Sequence, residues 1–229
     1  MTFVIDPIKI PSVAVVNTDH RFPVRRIFCV GRNYAEHTRE MGGDPEREPP
    51  FFFTKPADAV VDSDTEISYP KLTKDLHHEV ELVIAIGKGG ENIPKEQANA
   101  HIFGYAVGID LTRRDLQKIA KEMGRPWDSG KAFDQSAPCA AITPVGDIAD
   151  IEQASISLSV NGETSQSGMI ADLIWSIDEV ISILSESFSL APGDLIYTGT
   201  PAGVGPLVPG DHAVGKISGL RPIDIRLTD

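Results

Sequence analysis

The run His77-His78-Glu79-Val80-Glu81, followed at once by apolar residues 82–86, constrains this chain more than any other feature. Strand side chains alternate between faces, so Glu79 and Glu81 are predicted to be like-charged neighbours on one face. Burying two carboxylates together forces one of them to take up a proton unless a cation lies between them. Oxygen ligands with no cysteine nearby favour Mg²⁺, Mn²⁺ or Ca²⁺ over Zn²⁺. The pattern therefore suggests a divalent metal site, although the same spacing is common on solvated sheet faces.

A third acid follows the next apolar segment. Residues 102–109 predict a second strand, which ends in Asp110. Functional side chains often lie where a strand gives way to a loop or helix. Asp110 could equally be the N-cap of a helix at 111–123, with Thr112 and Asp115 completing a capping box. From these residues alone, the cap is the favoured interpretation.

Composition excludes several classes of partner. A chain of 229 residues is compatible with one substantial domain. Its formal net charge of −12 argues against nucleic acid or an anionic membrane as a partner, since both require a basic surface. Cys29 and Cys139 both lie in apolar segments, which fits reduced thiols better than a disulfide framework. With no signal-like start and no span of about 18 apolar residues, we expect a soluble cytoplasmic protein.

Hydrophobic patterning predicts a strand-dominated α+β fold. Residues 155–160 alternate strictly, and the Asn161-Gly162 pair that follows is a strong two-residue hairpin signal. Strands do not alternate regularly with helices, which argues against a doubly wound parallel sheet. The predicted strands are 27–30, 51–53, 80–86, 103–109, 156–160, 195–197 and 223–227, and the predicted helices are 34–41, 94–100, 111–123 and 173–186.

His37 and Glu40 are the candidate proton-transfer pair. Their spacing of three residues allows the side chains to meet on one face of a short helix. A carboxylate partner orients an imidazole and raises its basicity, as a general base for water requires. A surface His–Glu contact is the commoner explanation of such a pair. The adjoining residues 42–50, rich in glycine, proline and charge, predict a mobile lid.

Two glycine-bearing loops have different prospects. Residues 31–34 follow a strand and precede a helix, but the further glycines of a dinucleotide-binding fingerprint are missing. The loop at 198–205 lacks the lysine of a phosphate-binding P-loop and could be a plain turn. Its functional alternative is a rigid rim that presents the Thr200 hydroxyl and backbone N–H groups to a carboxylate.

Taken together, six motifs resemble the fumarylacetoacetate hydrolase family, and its short acylpyruvase and fumarylpyruvate hydrolase members most closely. The resemblance extends over residues 26–227 and implies a catalytic domain at 26–229, with residues 1–25 as an N-terminal extension packed on it. It also implies a mixed β-sandwich-like roll with peripheral helices, in a homodimer. The motifs are Gly-Arg-Asn-Tyr-Ala-Glu-His at 31–37, Lys-Pro at 55–56, His-His-Glu-Val-Glu at 77–81, Gly-Ile-Asp-Leu-Thr-Arg-Arg-Asp at 108–115, Gly-Lys-Ala-Phe-Asp at 130–134 and Thr-Gly-Thr-Pro-Ala-Gly-Val-Gly-Pro at 198–206.

The resemblance assigns roles to individual residues. Larger relatives have a further metal-binding aspartate shortly before the histidine, where this chain has Arg32 and Asn33, so three protein carboxylates are expected. The implied metal is Mg²⁺, with Mn²⁺ or Ca²⁺ as alternatives. The implied metal ligands are Glu79, Glu81 and Asp110; the implied catalytic residues are His37, Glu40 and Lys131; the implied substrate-binding residues are Arg114, Gln117 and Thr200.

The function implied by the resemblance is hydrolysis of a carbon–carbon bond in a 2,4-dioxo acid, with fumarylpyruvate as the expected substrate. A fumaryl group carries a second carboxylate, for which Arg32 and Arg39 are candidate cations, and Phe51, Phe53 and Trp127 could line its pocket. An oxaloacetate decarboxylase, or a related decarboxylase or isomerase of aromatic catabolism, could use the same metal site. A non-catalytic metal-binding module is the alternative from another class.

Overall fold

Strands dominate the computed structural model, which describes residues 2–7, 9–40 and 48–229. Two mixed sheets carry most of them: a six-stranded sheet in the order β12-β9-β8-β15-β3-β4 and a five-stranded sheet in the order β14-β13-β17-β18-β6. A three-stranded sheet, β10-β7-β16, and the pairs β1-β2 and β11-β5 complete the set. The strands are β1 Ser12–Ala14, β2 Arg21–Pro23, β3 Arg26–Gly31, β4 Phe51–Lys55, β5 Val60–Val61, β6 Thr65–Ser68, β7 Leu76–His78, β8 Val80–Ile86, β9 Ile102–Ile109, β10 Thr112–Arg113, β11 Ala137–Pro138, β12 Thr143–Pro144, β13 Ser155–Val160, β14 Glu163–Met169, β15 Asp194–Tyr197, β16 Gly205–Leu207, β17 His212–Ile217 and β18 Ile223–Thr228.

The apolar run at 82–86 is continuous because β8 is buried on both faces. Leu82 and Ile84 pack into the large cluster shared with the five-stranded sheet, whereas Val83 and Ala85 belong to a second cluster on the opposite face. Val13 and Phe22, from β1 and β2, also lie in this second cluster. Residues 12–24 therefore contribute to the core, and the division of the chain at residue 25 stays a prediction.

The hairpin prediction is confirmed: Asn161 and Gly162 join β13 to β14 with φ values of 52° and 86°, as a type I′ turn requires.

Helices lie at the periphery of the sheets. The α-helices are α1 Ala35–Glu40, α2 Arg114–Glu122, α3 Asp128–Lys131 and α4 Ile177–Ser187, and the 3₁₀ segments are Ala57–Ala59, Lys95–His101, Val145–Asp147 and Ile170–Asp172.

The predicted helix at 111–123 begins three residues late, and the capping interpretation of Asp110 is wrong. Thr112 and Arg113 form the short strand β10, paired with β7, so the backbone after Asp110 is extended. Helix α2 starts at Arg114 and has no side-chain cap. Asp115 instead accepts hydrogen bonds from the Thr73 hydroxyl at 2.6 Å and from the Lys74 N–H at 3.0 Å.

Glu79 lies in a break between β7 and β8, which belong to different sheets. The two carboxylates of the opening motif are therefore placed by a strand junction and by a strand, respectively. Most of the predicted lid, residues 42–47, lies outside the described residues. Among the described helices, none is long and apolar enough to cross a membrane.

Candidate metal centre and active site

Glu79, Glu81 and Asp110 converge at the end of the six-stranded sheet. Their ligand atoms all lie within 4.8 Å of one another, and the three residues are 5%, 2% and 1% exposed. Glu81 is the second residue of β8, and Asp110 follows the last residue of the neighbouring strand β9. The Asp110 N–H donates to the Glu79 carbonyl oxygen at 2.8 Å, which fixes the junction beside the end of β9.

Lys131 and Arg114 neutralise two of these carboxylates. Lys131 Nζ donates to Glu79 Oε2 at 2.7 Å, to Asp110 Oδ2 at 2.6 Å and to the Thr112 hydroxyl oxygen at 2.6 Å. The Arg114 guanidinium donates to the other Glu79 oxygen and, at 2.7 Å, to Gln117 Oε1. Burial opposes ionisation, but Lys131 and Arg114 hold the pKa of Glu79 well below its usual range. Burial also opposes the charge on Lys131, yet Asp110 and Glu79 raise its pKa.

Lys55 is a third buried cation at the site, and no role was assigned to it from sequence. It ends β4, is 2% exposed, and places Nζ 2.8 Å from Asp110 Oδ1. Its hydrogen bonds go to the carbonyl oxygens of Leu111 and Lys131, so Asp110 Oδ1 has an ion-pair neighbour but accepts no hydrogen bond. The Lys-Pro motif was its only signal, because a strand-terminal lysine ordinarily predicts a solvated side chain.

Glu81 is the carboxylate that the protein does not neutralise. Its Oε2 accepts the Gly199 N–H at 2.7 Å, and no cationic side chain of the described residues forms an ion pair with it. Burial, with Asp110 and Glu79 beside it, raises the pKa of Glu81 well above its usual range. A buried carboxylate without a cation, next to an Asp110 oxygen without a hydrogen bond, fits a bound divalent cation with oxygen ligands.

His37 and Glu40 meet on α1, as their spacing predicts. His37 Nδ1 lies 3.2 Å from Glu40 Oε2, and both Glu40 oxygens lie 3.2 Å from the Gly203 N–H. The imidazole is 7% exposed and lines the same cavity as Glu79 and Glu81. With Nδ1 engaged by Glu40, Nε2 is the nitrogen left for a water or substrate proton.

The glycine loop at 198–205 contacts both parts of the candidate site. Gly199 donates to Glu81, and Gly203 donates to Glu40, the partner of His37. Gly199 adopts φ +100°, and a Cβ there would lie 2.8 Å from Asn33 Cβ. The Asn33 amide donates to the carbonyl oxygens of Thr198 and Trp175 and accepts the Trp175 N–H. Asn33 therefore holds this loop in place, and the partners of its amide are backbone groups of Thr198 and Trp175.

One cavity gathers the predicted site residues except Glu40, which contacts His37 from outside the cavity lining. Phe51, Phe53 and Trp127 form an aromatic wall, with Phe51 edge-on to Trp127 at a centroid distance of 5.4 Å. Arg32 also lines the cavity, with φ 56°, whereas Arg39 is exposed and pairs with Glu36. The residues lining the cavity are Val30, Gly31, Arg32, His37, Phe51, Phe53, Glu79, Glu81, Asp110, Arg114, Gln117, Lys121, Trp127, Lys131, Gly199 and Thr200.

Sequence reasoning missed Gln166, which is fully buried behind the glycine loop. Its side chain contacts His78, Val80 and Thr200, three residues from two distant segments. The polar stretch of β14 offers no local sign of such a role, because all of these contacts span at least 34 residues. His78 serves as a partner of Gln166, and His77 Nε2 lies 2.9 Å from Asp75 Oδ1.

Comparison with known proteins gives a consistent result. The family described as "Fumarylacetoacetate (FAA) hydrolase C-terminal" matches residues 26–227. Fumarylpyruvate hydrolase of Ralstonia sp. is 46% identical over 182 residues, 80% of this chain and 94% of that protein. Oxaloacetate tautomerase YcgM of Escherichia coli is 41% identical over 199 residues, 86% of this chain and 90% of that protein. A crystal structure of fumarylpyruvate hydrolase from Pseudomonas aeruginosa with Mn²⁺ and pyruvate is 52% identical, with a TM-score of 0.97 and 99% of each chain covered.

The unequal neutralisation of Glu79 and Glu81 predicts opposite effects on stability. In metal-free protein at neutral pH, Glu81→Gln should raise the melting temperature, because an amide removes a buried carboxylate whose pKa is raised in the folded state. The Glu81 carboxyl destabilises the folded state only at a pH above its unfolded-state pKa, which is about 4.3. The advantage of Glu81→Gln should therefore shrink as the pH falls towards that value. Thermal denaturation of metal-stripped protein between pH 5 and pH 8 measures it.

Glu79→Gln is the matched comparison. It removes one of the two carboxylate partners of Lys131 and the ion-pair partner of Arg114, so the free energy of unfolding should fall by about 3 to 5 kcal/mol in metal-free protein. Mn²⁺ should raise the melting temperature of the unmodified protein, and both variants should lose this increase. Equal destabilisation by the two amides would contradict the assigned charge distribution.

Proposed function

Because the chain belongs to the fumarylacetoacetate hydrolase family, we propose that it is a metal-dependent hydrolase that cleaves a carbon–carbon bond of a 2,4-dioxo acid, with fumarylpyruvate as its substrate. The observation that carries this proposal is the shared cavity, which is lined by Glu79, Glu81 and Asp110 and by His37, whose Nδ1 contacts Glu40. A metal site alone needs no base, so the pair argues against a non-catalytic binding module.

The chemistry divides between the two ends of the cavity. His37 Nε2 accepts a proton from water, and the water oxygen attacks the carbonyl carbon at position 4 of the 2,4-dioxo acid. The bond between that carbonyl carbon and the adjacent methylene carbon breaks, and the acyl group leaves with the water oxygen as a carboxylic acid. The electron pair of the broken bond passes to the methylene side as an enolate, and a proton returned to the methylene carbon yields pyruvate. A divalent cation held by the three carboxylates would supply positive charge against the enolate. Lys131 adds a fixed positive charge beside Glu79 and Asp110.

We propose Mg²⁺ as the cellular metal, with Mn²⁺ or Ca²⁺ as substitutes. The carboxylate donor set suits all three, and Mn²⁺ is the ion in the Pseudomonas aeruginosa relative. We also propose a cytoplasmic homodimer, on the family expectation and on the two buried free thiols, Cys29 and Cys139.

Two cations support a substrate with a second carboxylate. Arg32 and Lys121 line the cavity, and neither has an ion-pair partner among the described residues. Lys121 lies seven residues beyond Arg114 on α2, roughly 10 Å along the helix axis. That separation is comparable to the length of a seven-carbon dioxo dicarboxylate. We therefore propose that Arg32 and Lys121 bind the distal carboxylate of fumarylpyruvate.

Oxaloacetate chemistry is the second candidate, favoured by the 41% identity to an oxaloacetate tautomerase. Oxaloacetate offers the same carboxylate and 2-keto oxygens, and its decarboxylation also yields an enolate. That decarboxylation needs the metal but no attacking hydroxide. An isomerase or decarboxylase of aromatic catabolism would use the site in the same way.

The base can be tested by separating these reactions. His37→Ala should lower kcat for fumarylpyruvate hydrolysis by roughly 10²- to 10⁴-fold, because water loses its proton acceptor. Oxaloacetate decarboxylation should survive. Hydrolysis is followed by loss of enol absorbance and decarboxylation by release of CO₂. An unchanged Mn²⁺-induced rise in melting temperature confirms an intact metal site, and equal loss of both activities would overturn this division of labour.

Substrate length gives a second test. Arg32→Gln and Lys121→Gln should each lower kcat/KM for fumarylpyruvate by about 10- to 100-fold, the loss expected for one hydrogen bond to a charged group. Both should leave acetylpyruvate, which has no distal carboxylate, within about threefold. Arg39→Gln and Lys118→Gln are matched controls, since neither side chain lines the cavity. Equal losses on both substrates would exclude a role in recognising the distal end.

A further inference from the structure

Gln166 lies fully buried on β14, in the five-stranded sheet, and all its polar contacts lead towards the active site. Its Oε1 accepts the Val80 N–H at 3.1 Å and lies 2.9 Å from His78 Nδ1. Its Nε2 lies 2.7 Å from the Thr200 hydroxyl oxygen and 2.8 Å from the Pro201 carbonyl oxygen. The hydrogen-bonding capacity of the amide is thus fully used.

Two backbone groups fix the orientation of this amide. The Val80 N–H can only donate, so the atom it meets is the oxygen. The Pro201 carbonyl can only accept, so the atom it meets is the nitrogen. It follows that Nε2 donates to Thr200 Oγ1 and that the Nδ1 of His78 carries the hydrogen in its contact with Oε1.

The direction of the Thr200 hydroxyl follows from this amide. Because Oγ1 already accepts from Gln166, the hydroxyl hydrogen remains available to donate to another oxygen. Thr200 is 2% exposed and lines the cavity next to Gly199, whose N–H is bound to Glu81. An anionic substrate oxygen is the acceptor that such a donor suits.

A β-bulge in β14 brings Gln166 next to the glycine loop. The register of β14 against β13 shifts between Leu158 and Ser159, which leaves Ser165 unpaired as a β-bulge next to Gln166. The Ser165 carbonyl oxygen lies 2.1 Å from where a Cβ on Gly203 would be, so only glycine permits this close approach. The bulge therefore seats the glycine loop directly against the strand that carries Gln166.

Gln166 also forms a hydrogen bond with the backbone between Glu79 and Glu81. Val80, whose N–H it binds, stands between Glu79 and Glu81 at the junction of β7 and β8. A single amide thereby connects the backbone between two metal-site carboxylates with the hydroxyl on the cavity wall. A purely structural role would not need the Gln166 amide, since an apolar side chain could fill the same space.

We propose that Gln166 is a positioning residue that holds the Thr200 hydroxyl as a hydrogen-bond donor to an anionic oxygen of the substrate. The proposal rests on the proposed function for the identity of the substrate, but it concerns binding of the pyruvate part. It makes Thr200 dependent on Gln166, so removal of either residue should cost the same interaction.

Binding of pyruvate to the Mn²⁺-loaded protein, measured by calorimetry, tests this dependence directly. Thr200→Val and Gln166→Met should each weaken pyruvate binding by about 10- to 100-fold, as expected for a hydrogen bond to an anion. The double variant should bind pyruvate with an affinity within about threefold of that of either single variant, because the two changes remove the same interaction. Thr200→Ser, which keeps the hydroxyl, should bind pyruvate within about threefold of the unmodified protein.

Kinetics supply the second measurement. The Gln166→Met change should raise KM for an acylpyruvate more than it lowers kcat, since His37 and Glu40 are untouched. If Gln166→Met fails to fold, Gln166→Glu takes its place: its oxygens accept from Val80 and His78, but an ionised carboxylate draws the Thr200 hydrogen away from the cavity. A Mn²⁺-induced rise in melting temperature confirms that the tested variant keeps the metal site.

Multiplying effects in the double variant, or unchanged pyruvate affinity in a folded Gln166 variant, would overturn the proposal. Absence of hydrolysis in the unmodified protein would instead contradict the proposed function. Pyruvate binding would still report on Gln166 in that case, so the two failures are distinguishable.

Discussion

The rest of this site depends on three buried carboxylates whose ligand atoms lie within 4.8 Å of one another. Lys131, Arg114 and Lys55 reach them from three separate segments, but their charges fall on Glu79 and Asp110. Glu81 is left with one backbone donor. Burial and the neighbouring acids raise the pKa of Glu81 and so favour a proton there, and a bound metal would take the place of that proton. Charge therefore links stability of the fold to occupation of the site.

The glycine loop joins this charge cluster to the remaining parts of the site. Gly199 donates to Glu81, Thr200 accepts from Gln166, and Gly203 donates to Glu40. These contacts cover the metal centre, the cavity wall and the base within five residues. Positive φ at Gly199 and Gly203 permits the close approach, which explains why glycines rather than an ordinary turn sequence occupy the loop.

Local sequence signals predicted seven of the eighteen strands that the described residues form, and they predicted the element junctions less well. The apolar runs of β3, β8 and β15 coincide with the predicted strands, because burial on both faces leaves no ambiguity of pattern. The start of α2 was misplaced, since Asp110, Thr112 and Asp115 match a capping box that tertiary pairing of β10 overrides. Lys55 and Gln166 were beyond local reasoning, because their partners lie 34 or more residues away. Glu79 and Glu81 suggested a metal site by their spacing alone, whereas Asp110 was recognisable as a ligand only from the order of the motifs along the chain.

The division of the cavity into a metal end and an acyl end accounts for related activities on one fold. The metal end is built on β8, β9 and α3, and in the proposed function it would accept any substrate with adjacent carboxylate and keto oxygens. The acyl end includes Arg32, which adopts the left-handed conformation at a cost of about 1 to 3 kcal/mol. The hydrogen bonds of its neighbour Asn33 hold that backbone in place, three residues before α1. Since His37, the proposed base, and Arg32, the proposed cation for the acyl group, lie in this short segment, changes there should alter the preferred substrate length while leaving enolate chemistry intact.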